Sequence, residues 1–100
     1  MSVYMIIDVE ITDADMYAEY IQKVPATVEK YYGKYLVRGG DVKVLAGDWK
    51  PERIIVLEFP SAERLKQWLT SPEYSALAPI REKSTSAKAI VVEGVGKALH

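Results

Sequence analysis

The sequence predicts an α+β domain in which four antiparallel strands form one sheet with helices on a single face. Three observations carry this. Hydrophobic periodicity alternates between the two-residue repeat of strands and the helical repeat, in the order strand, helix, strand, strand, helix pair, strand. The block Arg53-Ile54-Ile55-Val56-Leu57-Glu58-Phe59 is apolar on both faces and runs directly into Pro60-Ser61, a strand stop and helix start. Ser71-Pro72-Glu73 marks a second helix start, with a capping hydroxyl, proline at the first helical position and an acid in the first turn.

Each element can be placed in turn. Tyr4 to Glu10 reads as the first strand. Thr12 is the expected N-cap of the first helix, with Asp15 three residues on and Asp13 adding charge that suits a helix start. Met16, Tyr17, Tyr20, Ile21, Val24, Val28 and Tyr31 follow at helical spacing, and Pro25 is expected to kink the helix or begin a second segment. Gly33 is the expected C-cap. Tyr35 to Arg38 is the second strand, turned by Gly39-Gly40, with a possible extension over Val42 to Leu45 and a polar loop around Trp49. Arg53 to Phe59 is the third strand. The helix after Ser61 carries Leu65, Trp68 and Leu69, and the one after Ser71 carries Tyr74, Leu77, Ala78 and Ile80, with Pro79 weakening its continuity. Lys88 to Glu93 is the fourth strand. One domain is expected over residues 1–95, with a tail at residues 96–100.

This order is the split β-α-β plan of ferredoxin-like folds. Helices cover one sheet face, yet Tyr4, Ile6, Ile54, Val56 and Val91 make both faces too apolar for either to meet water. A homodimer closing two sheets face to face into an α-β barrel resolves the excess. A chain of 100 residues also gains from such burial.

Composition excludes several classes of function. The net charge of -1 and the scattered basic residues give no track for nucleic acid and no attraction to anionic lipid. There is no cysteine, so thiol nucleophiles, disulfides and thiolate metal sites are absent together. No signal-peptide pattern and no apolar run of membrane-span length is present, and a cytoplasmic location is expected. With His100 as the only histidine, neither a metal nor a heme is expected, and no other cofactor is implied.

Six residues are candidates for chemistry. Arg38 and Arg53 flank the loop between the second and third strands, and both can reach one mouth of a helix-sheet cleft, where paired guanidiniums suit a carboxylate or enolate. An internal ion network with Asp8, Glu58 or Asp41 demands the same residues. Glu58 and Asp8 each interrupt an apolar strand face, so each is either a general base raised by burial or a partner neutralised by arginine. Tyr20 and Tyr74 lie among apolar helix neighbours and either donate to a ligand oxygen or close internal hydrogen bonds.

Several of these segments together resemble one family. Asp13 and Tyr20, Tyr35-Leu36-Val37-Arg38-Gly39-Gly40, Gly47-Asp48-Trp49-Lys50-Pro51-Glu52-Arg53, Glu58-Phe59-Pro60-Ser61, Ser71-Pro72-Glu73-Tyr74, Arg81 and Val92-Glu93-Gly94-Val95 resemble the DUF1330 family over roughly residues 2–95. The family often has two glycines where this chain has Tyr32-Gly33. The resemblance implies the dimeric alpha-beta barrel superfamily, whose members include cofactor-free monooxygenases and isomerases, and it transfers no activity. The expected function is that of a small dimer binding an anionic organic molecule in the helix-sheet cleft. The alternatives are a non-catalytic structural or regulatory dimer and a cofactor-free monooxygenase or isomerase.

Overall fold

The computed structural model describes residues 1–95; the expected tail, with His100, lies outside them. The elements are β1 (Val3–Ile11), α1 (Ala14–Lys30), β2 (Lys34–Arg38), β3 (Arg53–Phe59), α2 (Ala62–Leu69), α3 (Pro72–Ser84) and β4 (Thr85–Glu93). The sheet order is β2-β3-β1-β4, and every neighbouring pair is antiparallel. Because strand side chains alternate, Val3, Val9, Ile55, Leu57 and Phe59 face the helices and are buried. Tyr4, Ile6, Asp8, Ile54, Val56 and Glu58 take the opposite parity, where they share an open face with the exposed Ile90 and Val92 of β4. No helix among the described residues is long and apolar enough to cross a membrane.

The core gathers around Trp68 of α2, which is 1% exposed. Its ring lies 5.5 Å from Phe59 and 4.2 Å from Tyr74, centroid to centroid, and its Nε1–H donates to Thr27 Oγ1 at 3.0 Å. One side chain thus touches β3, α3 and α1. Ser61 and Ser71 cap α2 and α3 as expected, accepting from the N–H groups of Arg64 and Tyr74 at 3.2 and 3.1 Å.

The structure corrects several local expectations. Asp13, not Thr12, caps α1, accepting from Met16 N–H at 3.1 Å. The backbone N–H groups of Thr12 and Asp13 both donate to Ser84 O at the end of α3, which ties down this entry and starts the helix one residue later. The left-handed residue after α1 is Tyr32, at φ 66°, rather than Gly33. Gly33 N–H donates to Val28 O and Tyr32 N–H to Glu29 O, the paired bonds of a Schellman ending. Gly33 is needed for space: a Cβ there would lie 2.6 Å from the Phe59 ring. Val42 to Leu45 form no strand, since Gly39 (φ 73°) turns the chain out of the sheet and no neighbouring strand receives the segment. Leu45 is 97% exposed. β4 begins at Thr85 rather than Lys88. Ser84 and Thr85 hydroxyls close the end of α3 by donating to Ile80 O and Arg81 O, and Thr85 pairs at once with Ile11.

No second segment begins at Pro25, because α1 runs through it. A proline at that position has no N–H, so the Ile21 carbonyl one turn earlier loses its helical donor. Arg38 Nη2 donates to Ile21 O at 2.9 Å and fills the vacancy. A register shift between Tyr35 and Val37 makes this reach possible: Tyr35 pairs with Leu57, Val37 with Val56 and Arg38 with Ile55. The extra residue turns Arg38 onto the helix-facing side. Arg38→Ala should therefore cost about 1 kcal/mol in the natural background, and less than about 0.5 kcal/mol once Pro25→Ala restores the N–H. Denaturant unfolding of the four proteins in this cycle checks it; equal costs in both backgrounds would show that Arg38 acts elsewhere.

Candidate functional site

The sheet divides the six expected site residues. Asp8 and Glu58 project from the open face; Arg38, Arg53, Tyr20 and Tyr74 lie on the helix side. The two carboxylates therefore form no common site with the two arginines.

On the open face both acids are engaged. Glu58 accepts from Tyr4 OH at 3.0 Å and pairs with Lys34 Nζ at 3.2 Å across the β2–β3 ladder. The Tyr4 hydrogen bond, then Lys34, holds its carboxyl below the usual range. That suits an ion-paired strut better than a general base raised by burial. Asp8 accepts from Trp49 Nε1–H at 2.8 Å, which fastens the β2–β3 loop over this face, and it faces Lys88 across the β1–β4 ladder.

On the helix side, Arg38 and Arg53 do reach one mouth, between α1 and the sheet, together with Tyr17, Tyr20 and Tyr35. The free volume there is about 20 Å³, which holds one water at most. The guanidiniums are used internally. Arg38 lies over the Tyr35 ring at 4.7 Å, in addition to its bond to Ile21. Arg53 lies over Tyr17 at 5.5 Å and donates from Nε to its hydroxyl at 3.3 Å. A Cβ on Gly39 would fall 2.0 Å from Arg53 Nη1, so the glycine is required for this packing as well as for its positive φ. Burial pushes Tyr35 up to about 12, with Arg38 pulling against it.

The roomier cleft on this side lies between α3 and the β1–β4 half of the sheet. It measures about 360 Å³, within the range of small-molecule sites, and is lined by Met5, Ile7, Leu69, Tyr74, Ala78, Arg81, Glu82, Ala87 and Ala89. The small side chains of Ala87 and Ala89 leave the space open. Tyr74, Ala78 and Arg81 recur at i, i+4 and i+7, which puts them along one face of α3. Tyr20 OH stands behind Tyr74 OH at 3.2 Å. Burial first, then Tyr74, pushes the Tyr20 hydroxyl well above its ordinary value, while the Arg81 charge opposes the shift. Arg81 Nη2 has a loose ion pair, 4.0 Å from Glu82 Oε1. Of the expected ligand residues, Tyr74 lines this cleft and Tyr20 backs it. Arg81 was visible in the sequence only as an arginine shared with the resembled family, since nothing in the helical pattern distinguishes it from a solvated charge. Among the described residues no cluster of three or more histidine, cysteine or acidic groups could hold a metal ion.

The N-terminal end of α3 is clamped to the C-terminal end of α1. Glu73 pairs with Lys30 and accepts from Tyr31 OH at 2.9 Å. The Lys30 ammonium, then Glu73's own backbone N–H and Tyr31, hold this carboxyl down to about 2 from an ordinary 4.5. The folded pKa is the lower one, so the clamp contributes fully above about pH 4.5 and is lost as pH falls toward 2. Glu73→Gln should flatten the acid limb of the stability curve in that window, as measured by urea unfolding at stepped pH. An unchanged slope would place the acid sensitivity in other carboxylates.

Comparisons with known proteins agree with this fold. A protein of unknown function from Rhodopseudomonas palustris matches with a TM-score of 0.81 at 18% identity, over 95% of this chain and 83% of that one. A dimeric ferredoxin-like protein of unknown function from a Jannaschia species matches at 0.72 and 10% identity, over 94% of this chain and 100% of that one. SnoaB, a cofactor-independent oxygenase from Streptomyces nogalater, matches at 0.65 and 8% identity, over 99% and 98%. At such identities the likeness shows the fold alone. Comparison with curated protein sequences gives no match. The model of the family described as "Domain of unknown function (DUF1330)" matches residues 2–95. With nearly the whole chain matched and the ferredoxin-like sheet in place, the protein belongs to the DUF1330 family.

Proposed function

We propose that this protein is a homodimer that binds a compact organic anion in the cleft between α3 and the sheet. The observation that carries the ligand reading is Arg81: a guanidinium at a largely apolar opening of about 360 Å³, whose one ion pair among the described residues is a 4.0 Å contact to the exposed Glu82. A guanidinium offers five N–H donors in a fork that matches a carboxylate. A ligand carboxylate can take these donors while its apolar body rests on Met5, Ile7 and Ala89. Screening benzoate-type and short aliphatic carboxylates by thermal shift should find stabilising ligands. Arg81→Ala should abolish the shift while leaving the unliganded melting temperature within about 2 °C, and Arg81→Lys should restore part of it. Undiminished shifts in Arg81→Ala would overturn the assignment.

Assembly is proposed from the open face. Ile90 and Val92 are 59% and 44% exposed there, beside Tyr4, Ile6, Ile54 and Val56, and the Jannaschia neighbour is described as dimeric. Sedimentation equilibrium at micromolar concentration should give twice 11.2 kDa. Ile90→Lys, which puts a charge opposite Ile6 on that face, should shift the protein to monomer. A monomeric natural protein would refute the face-to-face dimer.

The reading of a non-catalytic, purely structural dimer has its own support in the internal pairing of Glu58, Arg38 and Arg53. The Arg81 screen separates it from ligand binding. Any anion that binds is then the compound to assay for cofactor-free oxygenation, the activity named for SnoaB.

A further inference from the structure

The chemistry at the far end of the α3 cleft narrows the ligand class. This step rests on the anion-binding reading above and adds a second recognition point to it. Tyr20 is 7% exposed, and its hydroxyl has one partner among the described residues, the Tyr74 hydroxyl at 3.2 Å. Tyr74 is equally buried, but of the two it alone lines the cleft, so the arrangement that strands no hydrogen in the core has Tyr20 donating and Tyr74 accepting. The Tyr74 hydrogen is then left over. It finds no acceptor among the described residues, and Tyr74 lines the cleft.

Tyr74 and Arg81 stand seven residues apart on α3, two turns or about 10 Å along its axis. Their side chains lean the same way along the helix, so the tips keep this order. The wall between them is apolar, with Ala78 on α3 facing Met5 and Ile7 of the sheet.

We infer that the cleft selects an elongated aromatic or similarly flat carboxylate with a second oxygen acceptor at the end opposite its carboxylate. The carboxylate pairs with Arg81, the flat apolar body lies across the sheet, and the far oxygen accepts from Tyr74 O–H. Tyr20 is a positioning residue that orients this hydrogen. The class excludes compact diacids, since a second negative charge would meet a hydroxyl and apolar walls with no cation to receive it.

The test compares two shape-matched acids by isothermal titration calorimetry: 4-acetylbenzoate, whose ketone can accept, and 4-isopropenylbenzoate, in which a CH₂ replaces that oxygen. The natural protein should bind the acetyl compound roughly tenfold more tightly, the discrimination expected of one well-placed hydrogen bond. Tyr74→Phe should reduce the preference to less than about twofold while retaining the isopropenyl affinity, which also shows that the variant is folded. Equal binding of both acids by the natural protein would overturn the inference and leave the Arg81 anion site standing. Binding of neither acid, nor of any carboxylate in the thermal-shift screen, would remove the anion site and this inference with it.

Discussion

The packing of Trp68 is the constraint on which the rest of the molecule depends. A single layer of helices must be held on a four-stranded sheet, and α2 is only eight residues long. Trp68 solves this by filling the junction of β3, α1 and α3 with one large ring, while its indole N–H finds Thr27. Thr27 in turn donates to the Val24 carbonyl at 2.7 Å, so the polar atom brought into the core is satisfied through α1's own backbone. Tyr74, set by contact with this ring, then fixes where α3 begins its path over the sheet. The cleft further along α3 exists because the aromatic cluster fills one half of the helix-sheet layer and alanines line the other.

The arginines illustrate how a charged residue in a cleft can belong to the scaffold. α1 stays helical through Pro25 at the loss of one hydrogen bond, and Arg38 supplies the missing donor from the neighbouring layer. Arg53 stacks on Tyr17 across the flat back of Gly39. Together they seal the α1 side of the sheet, which leaves the α3 side as the opening. Glu58, Lys34 and Tyr4 tie β2, β3 and β1 together on the opposite face in the same internal manner.

The fold is shared with proteins described as an oxygenase, as dimeric, or as having no known function. Such a scaffold constrains chemistry weakly, because the site is set by a few side chains at the α3 end of the layer. In the proposed site those are a loosely paired guanidinium and the Tyr74 hydroxyl. Both are donors. On the reading proposed above, the arrangement suits recognition of an anion that also carries an acceptor.

Much of the architecture is written in local pattern. Strand parity in Ile54 to Phe59, the Ser61 and Ser71 caps and the order of periodicities determine a ferredoxin-like sheet with helices on one side and give Glu58 and Asp8 a common parity on neighbouring strands, but not which face that parity meets. These signals are legible because backbone geometry enforces them residue by residue. The destinations of the polar side chains are a different matter. One extra residue at the β2 register shift turns Arg38 toward Ile21, across seventeen positions of sequence, and no periodicity announces it. The entry to α1 moves to Asp13 because Ser84 O captures the preceding amides from the far end of the chain. Arg81 is left loosely paired, and Arg53 becomes a half-buried prop, through long-range packing alone. The sequence by itself determined the layers and the alternation along each strand, since these follow from short-range periodicity and capping; only the tertiary structure decided which face each charge meets and which charges are consumed, since that depends on partners brought together from distant parts of the chain.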